Sequence, residues 1–179
     1  MLKLVTLTLT SVALAAVSTA CAENTAAGAA PTDAQIAMIA VTADNVDIEA
    51  GKMAIEKAQD KSVKEFAELM VRDHSAVNAK ATALAKKLGV TPEESATSKS
   101  LKEDGDKQMA KLKALKGAEF DKAYVDSEVS YHEKVIAAVT TVLIPNTKNA
   151  ELKSLLESAG PIFASHLEHA KMMQKSMSK

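Results

Sequence analysis

VKEFAELMVRDHSAVNAKATALAKKLG, residues 63–89, is the stretch that decides the fold. Val63, Phe66, Ala67, Met70, His74, Val77, Ala81, Leu84 and Leu88 recur at spacings of three and four. That period puts them on one face of an α-helix and leaves the lysines and glutamates on the other. Gly89 follows as a residue free to adopt the left-handed conformation that ends helices. Ser62 and Glu65 have the spacing of a capping box in front of the run. The segment predicts an amphipathic helix over about 63–88, and such a helix needs partners to cover its apolar face.

The partners lie on both sides. Upstream, Thr32 and Gln35 form another capping-box pattern, and Ile36, Ile39, Ala40, Ala43, Val46, Ala50, Met53, Ala54 and Ala58 predict a helix over 33–58. Downstream, a Lys-rich stretch from 98 to 116 predicts a weaker helix with a thin apolar face, interrupted at Gly105. Residues 118–143 form a third strong helix, with Phe120, Tyr124, Glu128, Tyr131, His132, Val135, Val139 and Val142 on one stripe. A last helix, capped by Asn146 or Asn149, carries Leu152, Leu156, Ala159, Phe163, His166, Ala170 and Met173, with Pro161 inside it as a source of bending. Two short connections make two antiparallel hairpins, and the long stretch 89–117 joins them. The expected fold is all-α: a ferritin-like up-down four-helix bundle with an extra short helix in the crossover.

Composition agrees. The chain has 179 residues, which favours one domain. Aromatics make up only 3% and Trp is absent, which speaks against an all-β fold. The formal net charge of −1 gives no electrostatic reason to expect a nucleic acid as partner. One cysteine excludes an internal disulfide and a cysteine-based zinc motif. Phosphate-binding glycine loops and nucleophile elbows are absent.

Residues 1–21 read as an export signal: a basic start at Lys3, an uncharged apolar run, then small residues. Ala20-Cys21-Ala22 fits cleavage before Glu23. Ser18-Thr19-Ala20-Cys21 fits a lipoprotein signal instead, in which Cys21 becomes a membrane tether. Residues 22–31 form an Ala-rich flexible tether, and the bundle occupies 32–176. The expected location is the periplasm or the outer membrane.

Several polar residues fall on apolar stripes. His74, His132 and His166 sit at core positions, Glu128 replaces an apolar residue between Tyr124 and Tyr131, and Glu49 borders the core of the first helix. Buried polar and charged groups are costly unless paired or ligated, so several of them on different helices ask for one cause. Counting from the turns, Glu49 and His74 lie roughly 16 and 21 Å deep in their hairpin, while Glu128, His132 and His166 lie roughly 22–28 Å deep in theirs. Imidazoles with carboxylates form a first shell for a divalent transition metal, zinc first, with iron or copper as alternatives. The expected ligands are Glu49, His74, Glu128, His132 and His166. His169 flanks the stripe, and Met172-Met173 offers a weaker copper pair. No Glu is followed three residues later by His, so the di-iron carboxylate pattern is missing.

Several segments together resemble the DUF4142 family of exported bacterial proteins: NVDIEAGKMA at 45–54, VKEFA at 63–67, MVRDH at 70–74, FDKAY at 120–124, His132-Glu133, and Pro161 with His166-Leu167. The resemblance runs from about Thr32 to Met173. It implies a ferritin-like bundle in the periplasm or at the outer membrane, and it places Glu49, His74, His132 and His166 on motif positions. Two functional expectations follow. One is an envelope metal-handling or stress-protection protein that binds one ion. The other is a non-catalytic interaction module, or a pH sensor, whose buried His/Glu network is structural.

Overall fold

The computed structural model describes residues 30–178; the segment expected to be an export signal and most of the expected tether lie outside the described residues. Among these residues there are helices and no strand. We number them α1 (Asp33–Lys57), α2 (Lys61–Leu88), α3 (Ala96–Ala114), α4 (Gly117–Ala138) and α5 (Ala150–Met177). A π-helical turn at Val139–Leu143 and one further turn at Ile144–Asn146 extend α4 to the connection with α5.

Local chemistry sets the boundaries. Thr32 and Gln35 make the expected capping box, and Gly89 ends α2 with φ 63°. The second expected box does not form. The cap is Asp60, whose Oδ1 accepts from the Ser62 amide at 2.7 Å, and Glu65 pairs with Lys61 on the surface. The helix therefore starts at Lys61, two residues earlier than a cap at Ser62 would allow. Gly105 does not interrupt α3 either: the helix runs through it, because Ser95 and Ser98 cap its start and α1 supports its length. A Cβ on Gly105 would lie 2.7 Å from Val46 Cγ2, so this glycine lets α3 press its backbone against α1. Pro161 sits inside a helix that continues on both sides.

Cross-helix contacts give the topology. Lys57 Nζ reaches the carbonyls of Leu112 and Lys113 at one end of α1, and the Glu93 amide donates to Ala34 O at the other. The crossover helix α3 thus runs parallel to α1 for its whole length. Gln59 meets Asp121, and Tyr131 donates to Ala43 O at 3.0 Å, so α4 runs antiparallel to α1. Lys171 pairs with Glu133 and Gln174 with Asp126, so α5 runs antiparallel to α4. The directions are up, down, down, up, and α3 returns the chain from the end of α2 to the start of α4. This is a ferritin-like bundle with one long crossover.

Two aspartates hold the hairpins at a common height. Buried Asp121 accepts from the amides of Gln59 and Asp60 at the α1–α2 turn, at 3.1 and 2.8 Å. At the opposite end, Asp33 accepts from the amides of Lys148 and Asn149, at 2.8 and 2.9 Å. Each hairpin's turn is tied to the other hairpin, so residues at matched depths meet. Around Phe66, Met70, Phe120, Tyr124 and Val125 the core is fully closed, and this apolar block stands directly beside the polar residues described next.

Candidate metal centre

His74 on α2, His132 on α4 and His166 on α5 point into one place. Their ring centroids form a near-equilateral triangle with sides of 5.6, 5.3 and 5.5 Å. All three are at least 98% shielded from solvent. Phe163, one turn before His166, stacks on His74 with ring centroids 5.1 Å apart and presents its edge towards His132.

Each imidazole is held by one nitrogen. His74 Nδ1 donates to Asp44 Oδ1 at 2.8 Å. His132 Nδ1 donates to the Glu128 carbonyl at 3.1 Å; a carbonyl only accepts, so this contact fixes the tautomer. His166 Nε2 donates to Asp73 Oδ2 at 3.1 Å, and the hydrogen bond from Arg72 keeps that carboxyl below its usual range and ionised. The other nitrogen of each ring, His74 Nε2, His132 Nε2 and His166 Nδ1, is buried without a hydrogen-bond partner. These are the nitrogens that carry a free lone pair once the anchored one holds the proton. Such outer anchoring is how proteins orient metal-binding histidines.

Carboxylates complete the cluster. Glu128 on α4 and Asp47 on α1 are both buried, and neither Glu128 oxygen has a hydrogen-bond partner. Asp47 Oδ2 lies 3.3 Å from His74 Nε2, and Glu128 Oε2 lies 3.5 Å from His132 Nδ1. One ligand atom from each of His74, His132 and His166 falls within 4.8 Å of the others, and the same holds for Asp47, Glu128 and His132. The buried hydroxyl of Tyr124 also lacks a partner.

Burial sets the charges. It pushes the Glu128 carboxyl up to about 7 and raises Asp47 well above its usual range, with Glu128 and Asp44 adding repulsion. It pushes the His132 imidazolium down to about 3, with His74 and His166 adding to the effect, and it lowers His166 as well. Dry surroundings thus favour neutral imidazoles and protonated acids. A divalent cation would supply the charge that ionised carboxylates need here, displacing their protons.

The structure brings together His74, His132, His166 and Glu128 of the expected set. It does not bring Glu49. That residue is exposed, and its charge adds to that of Asp106 around Lys102 on α3. The inward carboxylates of α1 are Asp44 and Asp47 instead. Ala40, Asp44, Asp47, Gly51, Ala54 and Ala58 recur at alternate steps of four and three, and Glu49 lies two residues past Asp47, about 200° round the helix. His169 is half-buried and packs edge-on against Phe66, away from the cluster. Met173 lies in the core while Met172 is 65% exposed, so the two methionines do not face one ligand.

A family model described as "Domain of unknown function (DUF4142)" matches residues 18–173. The chain belongs to the DUF4142 family. Among curated proteins no match is found. Among solved structures, this DUF4142 chain is similar to one described as "CopM in the Cu(II)-bound form", with a TM-score of 0.65 at 14% identity. The match covers 83% of this chain and 99% of that one. At that identity the likeness shows a shared helical fold.

Proposed function

We propose that this protein binds one divalent transition-metal ion between α1, α2, α4 and α5, through His74, His132 and His166 with a carboxylate from Glu128 or Asp47. The observation that carries the reading is that three histidines from three helices converge, one ligand atom of each lying within 4.8 Å of the others, while each ring keeps one nitrogen without a partner. The outer anchors hold the other nitrogen of each ring. A purely structural network would satisfy its buried groups, because leaving them unpaired costs about 1–3 kcal/mol each. Three imidazoles and one carboxylate suit Zn(II) and Cu(II). The similar solved structure holds Cu(II), which favours testing copper beside zinc. With residues 1–21 read as an export signal, the ion is handled in the cell envelope, as storage, buffering or protection. Mass determination of the mature N-terminus separates an acylated Cys21 from cleavage before Glu23.

The test is thermal unfolding of metal-free, untagged protein with added Zn(II), Cu(II), Fe(II) and Mn(II). An ion present at about 100 times its Kd adds roughly 2.7 kcal/mol. That corresponds to a rise of about 5–11 °C for a domain of this size. The rise is expected with Zn(II) or Cu(II) and is lost in His74→Ala and His132→Ala. No rise with any ion, or an equal rise in those variants, overturns the assignment.

A further inference from the structure

The three imidazoles of the cluster are not anchored alike. His74 is held by Asp44, which is buried, and His132 by the Glu128 carbonyl inside α4. His166 is held by Asp73, whose side chain is 23% exposed. Of the three anchoring residues, Asp73 is the only one that is not buried. His166 therefore joins two environments. Its Nε2 meets a carboxylate open to solvent, and its Nδ1 is buried without a partner, on a ring packed beside His74 and His132.

The sequence sets this up on one turn of α2. Asp73 and His74 are adjacent, so their side chains leave the helix about 100° apart. One enters the triangle of imidazoles, and the other meets His166 of α5 from outside it. Arg72 is exposed on the same turn, and its Nε donates to Asp73 Oδ1 at 2.7 Å while Oδ2 accepts from His166. A single carboxylate thus carries a surface guanidinium on one oxygen and an inner imidazole on the other.

An ion bound by these histidines has to cross a closed wall, since all three are at least 98% shielded. A cation stripped of water is costly in apolar surroundings, so its path needs donor atoms in succession. The cavity of about 560 Å³ between the helices does not supply them. It reaches the outskirts of the cluster at Asp44, Tyr131 and Phe163, its wall is mainly alanine and leucine, and none of the three histidines lines it. On the Asp73 side a carboxylate oxygen and an imidazole nitrogen follow each other at 3.1 Å, with no apolar layer between them.

We infer that Asp73 is the entry ligand of the metal centre. It takes up the hydrated cation at the surface in place of Arg72, and movement of the His166 side chain admits the ion to the three bare nitrogens. This inference rests on the metal reading of the histidines and adds the route and the residues that set its rate. Asp73 is a positioning residue here, outside the final ligand set, and Arg72 is the cation that competes with the incoming one.

Stopped-flow uptake of Zn(II) by metal-free, untagged protein, read with a metal-binding dye, gives association and release rates separately from Kd. Asp73→Asn keeps an oxygen that accepts from His166 and removes the charge. Its association rate is expected to fall about tenfold. Arg72→Gln is expected to raise that rate about threefold at low ionic strength, and the gain fades as salt is added. Ala138→Leu, which narrows the cavity, leaves it unchanged. A merely structural anchor gives the opposite split: Asp73→Asn then speeds release and leaves association as it was. Unchanged association in Asp73→Asn, or association slowed as much in Ala138→Leu, overturns the inference while the metal reading stands. Failure of the parent protein to bind any ion overturns both.

Discussion

Glu128→Gln separates a metal site from a structural network, because the two readings give it opposite signs. Glu128 is fully buried, both its oxygens lack partners, and burial pushes its carboxyl from 4.5 up to about 7. A raised carboxyl means that the folded state holds a proton the unfolded state has lost. The associated stability is fully present below about pH 4.5 and is lost as the pH rises to about 7. Above pH 7 the ionised, metal-free site costs on the order of 3 kcal/mol, from a shift of about 2.5 units at 1.36 kcal/mol each. An amide has the same shape and cannot ionise. Metal-free Glu128→Gln is therefore expected to unfold roughly 6–12 °C above the parent protein at pH 8, and close to it at pH 4.5. The same variant gains less from added Zn(II) or Cu(II), because it has lost the charge that compensates the cation. Calorimetric or far-ultraviolet circular dichroism melts at the two pH values, with and without ion, read both effects. A metal-free variant that melts below the parent at pH 8 and keeps the full response to ion refutes the reasoning.

Asp47→Asn is expected to lower ion affinity while Glu49→Gln leaves it unchanged, since only the first side chain faces the histidines; competitive titration with a metal-binding dye measures both. Asp121→Ala removes a buried carboxylate that accepts from two turn amides and is expected to cost about 2–3 kcal/mol in urea unfolding. Because that carboxylate also sets the relative height of the hairpins, ion affinity falls with it. Gly105→Ala drives a methyl group to 2.7 Å from Val46 and is expected to cost about 1–3 kcal/mol, loosening α3 from α1, with faster amide exchange over Ala96–Ala114 as its signature.

Much of this molecule is legible in its sequence. Four strong helices, the crossover, the Thr32 box and the Gly89 stop all follow from spacing and terminal chemistry, because an amphipathic stripe has few ways to be buried. Three histidines on three stripes were legible for the same reason. What spacing did not fix was the side of α1 that faces them. Its apolar residues are mostly alanines spread round the helix, so the stripe is blurred, and Glu49 sits close enough to its edge to mislead. The repeat Ala40-Asp44-Asp47-Gly51-Ala54 carried the needed signal, but it requires accepting aspartates as inward residues before anything explains their burial. Ser62 as a cap failed because Asp60 Oδ1 accepts from both its amide and its hydroxyl, while Asp121, about sixty residues away in sequence, takes up the turn amides of Gln59 and Asp60. The common height of the hairpins rests on Asp33 and Asp121, and such long-range bonds leave no trace in local periodicity.

X-ray absorption at the metal edge of the Zn(II)- or Cu(II)-loaded protein tests the central claim most directly. The account predicts one ion per chain with three imidazole nitrogens at about 2.0–2.1 Å and an oxygen completing the shell. It also predicts one imidazole fewer in His166→Ala. A shell without imidazole, or one unchanged by removal of His74, His132 or His166, contradicts it.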